Sequence, residues 1–440
     1  MHITNYKELA KTGLRKKALA IVEAGYASIE IQTAIKKRVT VKAGILNVAF
    51  PDKSQAAIKI DLKDYKRIFL VGIGKGSALA SVAMAGVLGN KMTRGIAIDV
   101  EKVPNRHARL ELLVGTHPLP SMKNVRATQK VMRMVSGLDD DDLVIVFMCG
   151  GGSALAVASE DELKSSLTVF KELTKAGANI IELNTVRKHQ SDIKGGNFAS
   201  IMYPATSLAL MVSDVIGNDI SMVASGPTVC DTTSKEDAIA ILKKYGVLTK
   251  GLVLRETPKE KKCFRNVNNV LFLANKDAVD AMVEKARSFG LKPRVGSLGF
   301  QGEAREALIP AVGKIKKGEI MIMAGETTVT LNGIPAGKKP GKGGRNQEVA
   351  LGVLDRYANE PKKLEGIIAI SYASDGHDNI DAAGGIADTY TLKTAMGMKQ
   401  DIEDAIVRHA SFDFFKKNGN LIKAKRNSFN VADLMLVIKE

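Results

Sequence analysis

The chain has 440 residues, 45% of them apolar and 25% charged, which excludes the disordered, collagenous and disulfide-stapled classes and leaves a globular protein of two or three domains. Lys and Arg outnumber Asp and Glu by 64 to 47, a formal charge of +17, yet Trp is absent and aromatic residues are only 5%. Without aromatics interleaved among the basic residues, an acidic small substrate or a solvated Lys-rich surface explains the excess better than a nucleic-acid partner.

No apolar run approaches the ~18 residues of a spanning helix, and the first residues are charged and amphipathic, so no membrane segment is expected and the chain reads as cytoplasmic. Cys149, Cys230 and Cys263 stand far apart at no metal-ligand spacing, which points to small apolar residues rather than a zinc site or disulfides. In chain order, helix is predicted over residues 6–39 with an interruption near Gly25. Residues 67–72 (RIFLVG) read as a buried strand that enters a glycine turn and an Ala-rich helix at 77–88. Residues 143–148 (LVIVFM) repeat the design and lead into CGGGSALA and a second helix start.

Further strands are predicted at 207–212, 270–274, 320–324 and 367–372, and residues 324–333 read as a strand, a bend and another strand. Short Val- and Ile-rich runs alternating with amphipathic stretches give an α/β class with parallel sheets under helices. A charged, strandless stretch over 232–266 marks the division of the chain: residues 1–247 form a first domain and residues 248–440 a second, smaller one. Residues 332–345 (NGIPAGKKPGKGGR) form a Gly, Pro and Lys cluster of the kind that binds anions or stays without fixed structure.

The chemistry gathers at the strand ends. GIGKGS (72–77) matches neither the Walker A nor the GxGxxG spacing; what it offers is backbone amides and Lys75, an ammonium placed to neutralise a phosphoryl group or simply an exposed turn lysine. CGGGSA (149–154) offers unobstructed amides and the Ser153 hydroxyl to a phosphate, with an unliganded helix cap as the plain alternative. A serine-hydrolase elbow is ruled out, since Leu155 stands where G-x-S-x-G needs glycine.

In ELNTVRKHQSDIKGGNFA (182–199), Arg187 and Lys194 suit carboxylate or phosphate, while His189 reads as surface or satisfied core. Asp214, just past a strand, suits a magnesium ion or a turn cap. Arg345 follows two glycines and opens a helix. Residues 374–388 (SDGHDNIDAAGGIAD) cluster acids around a strand end without the EF-hand spacing.

Taken together and in order, GIGKGSA, GTHPLPS, GGGSAL, NTVRKHQSDIKGG, SDVIGNDISMVASGPT, LANKDAV, GETTVTL, GKGGRNQE and SDGHDNIDAAGG closely resemble the glycerate 2-kinases of the MOFRL type over nearly the whole chain. The resemblance implies two α/β domains, the first Rossmann-like, with the active site in the cleft between them. It implies ATP and Mg2+ as cofactors and D-glycerate as the small-molecule partner, phosphorylated at its 2-hydroxyl. Lys75 and Arg345 then correspond to catalytic cations; Gly74, Gly150, Gly151, Gly152, Ser153, Arg187, Lys194 and Gly195 to nucleotide- or substrate-binding positions; and Asp214 to a metal-linked acid or base. The oligomeric state stays open between monomer and homodimer.

Two departures touch the substrate pocket. Asn379 and Ile380 replace the family's Gly-Pro-Thr in the Asp-rich turn and shorten it by one residue, and RNSFNV (426–431) stands where a glycine-rich stretch is expected. A related hydroxy-acid kinase and an inactive nucleotide- or anion-binding regulator are the alternatives these changes leave. An NAD-dependent oxidoreductase lacks the GxGxxG fingerprint.

Overall fold

The structure is a computed structural model that describes residues 1–51, 55–247, 252–331, 334, 337–427 and 429–440. The chain divides into two compact units, residues 31–273 and residues 1–30 with 274–440.

The 31–273 unit is built on a six-stranded sheet in the order Leu110–Val114, Arg94–Asp99, Arg67–Ile73, Asp142–Met148, Thr206–Val212, Val267–Leu273, all parallel. Every residue of Asp142–Met148 is buried, which explains the unalternating apolar runs: helices cover both faces, so neither face is free to be polar. The chain starts in the middle of the sheet at Arg67–Ile73, runs outward through two strands, then returns to add Asp142–Met148 on the other side. The strand order thus reverses between Arg67–Ile73 and Asp142–Met148, and in such sheets the crevice beyond the strands' carboxyl ends at that point is where ligands bind. Both predicted glycine turns leave from these two strands. A separate three-stranded antiparallel sheet, Val39–Lys42, Ile45–Val48 and Ile58–Asp61, belongs to the same unit.

The other unit is a seven-stranded mixed sheet in which Asp433–Lys439 lies antiparallel between Glu319–Thr328 and Ile367–Ala373. Helix Arg345–Tyr357 packs on it with Asn346 through Leu354 all buried. The expected second strand within 324–333 does not form among the described residues: Glu319–Thr328 continues straight, pairing with Phe300–Glu303, and Asn332 and Gly333 lie outside the described residues.

The domain limits differ from the sequence expectation at both ends. The first sheet takes its sixth strand from Val267–Leu273, so the strandless stretch before it is an insertion within that unit rather than a linker; Leu248, where the division was expected, lies outside the described residues. The first 30 residues pack with the distant half of the chain. Arg15, 1% exposed, forks onto Asp388 at 2.7 and 2.8 Å and reaches Asn420 and Thr391, and the Tyr26 hydroxyl donates to the Ala373 carbonyl at 2.9 Å. Helix Gly13–Ser28 runs unbroken through Gly25, where a side chain is excluded because a Cβ would stand 2.6 Å from the Tyr372 hydroxyl.

Candidate active site

At the switch point, the two glycine turns pack directly on each other. A Cβ on Gly74 would fall 2.4 Å from the Cys149 carbonyl oxygen, and the Lys75 amide donates to the Gly150 carbonyl at 2.9 Å. The amides of the first turn are already in use. Gly74 donates to Ile98, Gly76 and Ala78 donate to the Asp99 carboxylate, and Ser77 donates to Gly74. Asp99 therefore fills the N-terminus of helix Ser77–Leu88 where an anion was expected, and Gly74 is a close-packing glycine rather than a nucleotide-binding one. What the first turn presents outward is the half-buried Lys75 side chain, which meets no carboxylate among the described residues.

The second turn is different. Gly151 adopts φ +78, and the amides of Gly151 and Ser153 meet no acceptor among the described residues. Side-chain-free positions are again obligatory: a Cβ on Gly150 would lie 2.0 Å from Asp214 Oδ2 and one on Gly152 2.5 Å from Ala224 Cβ. The run that follows makes a single helical turn, Gly152–Leu155.

Ser153 Oγ lies 2.7 Å from Ser225 Oγ, which donates to Asn184 Oδ1 at 2.9 Å. Ala224 and Ser225 hold left-handed φ values of +51 and +61, conformations that non-glycine residues adopt only under constraint. Gly195 supplies part of that constraint: its amide donates to the Ser225 carbonyl at 3.0 Å, so Gly195 shapes the site and does not itself offer a donor to a ligand.

Arg187 and Lys194 separate clearly. The Arg187 guanidinium stacks over Phe170 at 4.6 Å, touches Asn184 and has no carboxylate partner among the described residues; its burial favours the neutral form and lowers its pKa. It lines a recess with Ser153 and the Pro118–Pro120 loop. Lys194, 2% exposed, gives its ammonium to the Ala156 carbonyl at 2.6 Å, to Glu162 at 2.7 Å and to Ser191. Its expected ligand-binding role gives way to a buried structural ion pair. His189 is satisfied core, facing the Arg255 carbonyl and Thr233.

Asp214 is, among the described residues, an acid whose carboxylate stands against the second turn. Among the described residues, the group of acids close enough to share a cation is Asp139, Asp141 and Asp142, and these face Lys66 and Arg67 instead. Mg2+ commonly takes one or two carboxylates and completes its shell with substrate phosphates and water, and a single acid beside free amides fits that manner of binding. His117, which sequence reasoning left in a motif without a role, also reaches this turn, and so do Asn184 and Ser225. No periodic signal marks them, because each arrives from a separate loop or helix.

In the other unit, Arg345 opens its helix behind Gly344, whose Cβ would fall 2.0 Å from the Asp378 carbonyl. Asp378 caps that helix, accepting from the Asn346 and Gln347 amides at 3.1 and 3.0 Å and from both side chains. Arg345 lies on Asp433 at 2.6 and 3.2 Å and on Glu326. Burial pushes the Asp433 carboxyl up to about 7, against the opposing pull of Arg345. Arg345, Asp378 and Asp433 line a cavity of about 620 Å³ with Asp375, His377 and His409. The two departures from the resembled pattern meet here: the Asn427 amide donates to the Asp375 carbonyl at 2.8 Å, and Arg426 lies 3.1 Å from His377 Nδ1. Ser428 between them lies outside the described residues.

Among known proteins, residues 17–254 match the family described as a domain of unknown function (DUF4147) and residues 319–433 match the MOFRL family. The D-glycerate 2-kinase of Thermotoga maritima is 33% identical over 413 residues, covering 89% of this chain and 95% of that protein. A protein of Agrobacterium vitis named putative hydroxypyruvate reductase is 33% identical over 84% of this chain and 87% of its own. The crystal structure of a glycerate kinase from Thermotoga maritima superposes with a TM-score of 0.82 at 30% identity, covering 97% of this chain and 99% of that one.

Proposed function

Because the chain belongs to the MOFRL-type glycerate 2-kinase family, we propose that it transfers the γ-phosphoryl group of ATP to the 2-hydroxyl of D-glycerate, giving 2-phosphoglycerate and ADP. The observation that carries this reading is the second glycine turn, where the Gly151 and Ser153 amides, the Ser153 hydroxyl, Lys75 and Arg187 surround a space, the two cations without a carboxylate partner among the described residues. Phosphoryl transfer asks mainly for positioning and charge neutralisation, and that is what these groups supply.

In this reading Gly150, Gly151, Gly152 and Ser153 hold the phosphates, Lys75 and Arg345 neutralise charge developing on the transferred group, and Arg187 meets an anionic group of ATP or glycerate. Asp214 holds Mg2+, which supplies further charge neutralisation when bound. No helix among the described residues is long and apolar enough to cross a membrane, and a cytoplasmic location belongs to the same proposal.

The name putative hydroxypyruvate reductase, carried by two relatives from Agrobacterium vitis, raises a second reading. Nicotinamide dinucleotides are usually held by a GxGxxG turn with unspent amides, whereas here the first turn lacks that spacing and gives its amides to Asp99 and neighbouring carbonyls. ATP consumption with Mg2+ and D-glycerate, with the phosphorylated position identified, decides between them. 2-Phosphoglycerate formation is expected; nicotinamide oxidation with hydroxypyruvate and no ATP turnover would replace the kinase reading.

A further inference from the structure

Three titratable side chains meet at the second glycine turn, and the proposed function uses two of them, Lys75 and Asp214. The third is His117. A methyl carbon set on Gly151 would stand 3.0 Å from His117 Cδ2, 3.2 Å from His117 Nε2 and 3.2 Å from Lys75 Cγ, so the ring edge bearing Nε2 faces the turn beside the lysine. His117 is partly exposed to solvent, and its imidazole has no hydrogen-bond partner among the described residues.

Its loop is nonetheless fixed. Buried Asn124 accepts from the Thr116 amide at 2.9 Å, donates to the Thr116 carbonyl at 2.9 Å and donates to the Ala154 carbonyl at 2.8 Å. One side chain thus ties the loop carrying His117 to the residue after Ser153. A titratable group held in place, unpaired and open to the ligand side is what a proton acceptor requires.

We propose that His117 is the general base of the phosphoryl transfer, an inference that rests on the kinase reading above. The glycerate 2-oxygen attacks the γ-phosphorus, and the bond from phosphorus to the β,γ-bridging oxygen breaks, its electron pair leaving with ADP. The 2-hydroxyl proton passes to Nε2, and the resulting imidazolium releases it to water. Asp214 is the other candidate base, but a carboxylate bound to a cation loses basicity, so the two groups divide the work.

Partial burial, then the Lys75 ammonium, pulls the imidazole below its ordinary value of 6.5. Of the charged groups on the surrounding strand ends, Lys75, Asp99 and Asp214, only Lys75 displaces its titration. The ring is therefore neutral and able to accept a proton at neutral pH.

The test is the pH dependence of kcat/KM for D-glycerate at saturating MgATP in the wild type, His117→Ala and His117→Gln, with MgATP affinity and thermal unfolding measured alongside. The wild type is expected to lose activity only as pH falls below 6.5. Both variants are expected to lose about 10²-fold or more in kcat and to lose that acid limb, while MgATP affinity holds. Added imidazole is expected to restore part of the turnover of His117→Ala but not of His117→Gln, whose side chain fills the space. An unmoved acid limb, or kcat within about fivefold of wild type, would overturn the proposal and pass the role to Asp214. Absence of turnover in the wild type itself would remove the kinase reading instead.

Discussion

Each unit sets a helix N-terminus at the rim of a polar site, and each terminus is filled by a carboxylate of the chain itself, Asp99 at Ser77–Leu88 and Asp378 at Arg345–Tyr357. The difference lies in the cations and in the neighbouring turn. In the 31–273 unit, Lys75 and Arg187 have no carboxylate partner among the described residues, and the second turn keeps unspent amides. In the other unit, Arg345 is gripped by Asp433 and Glu326. A glycine turn or an arginine at a helix start therefore says little about anion binding until every donor has been traced to its acceptor.

The sharpest way to break this comparison is to remove its two cations in turn. Lys75→Ala is expected to lower kcat by about 10²–10³-fold without loss of stability, because the Lys75 ammonium has no ion-pair partner among the described residues. Arg345→Ala is expected to lower turnover as far and also to cost stability, most of all above pH 7, where Asp433 would be left buried and charged without its counter-ion. Adding Asp433→Asn should return the stability but not the turnover. Equal stability losses in the two single variants, read by denaturant unfolding, would erase the distinction.

Lys194→Ala tests the other side of the contrast, a cation judged structural. It is expected to destabilise by about 3–5 kcal/mol, with Glu162 left buried, while the folded fraction keeps near-normal turnover. Arg187→Ala is expected to raise the KM of ATP or glycerate by roughly tenfold with little change in stability.

The smallest effect is one of pH. Asp433 titrates near 7 in the folded chain because burial outweighs Arg345, against 3.8 for a free carboxyl. Between those values the folded state keeps a proton that the unfolded chain has lost, so stability falls as pH rises through the window and levels off above it. Asp433→Asn should flatten that segment of the stability profile; an unchanged slope would place the titration elsewhere.

The two strand-turn-helix units were legible in the sequence because an unalternating apolar run ending in glycine has few other structural meanings. The outer strands Arg94–Asp99 and Leu110–Val114 were not, since charged residues within or beside them break the apolar pattern. The allegiance of the first 30 residues was hidden because Arg15 looks like a surface charge until its partners 373 and 405 positions away are known. Among site residues, the Lys75 and Arg187 side chains have no carboxylate partner among the described residues, whereas the Lys194 ammonium and the Gly74 and Gly195 amides are already bonded within the chain; residue type reports that a donor exists and only the fold reports whether it is already taken. The two altered segments, read separately in sequence, meet through Asp375 and Asn427 and form one change in one pocket wall.

The most direct test of the central claim is residue-resolved amide hydrogen exchange on the whole protein, with and without saturating MgATP. Added protection is expected at Gly151 and Ser153, and none beyond the existing protection at Gly76, Ala78, Asn346 and Gln347. Protection gained at those carboxylate-filled helix starts, with Gly151 and Ser153 unchanged, would contradict the account.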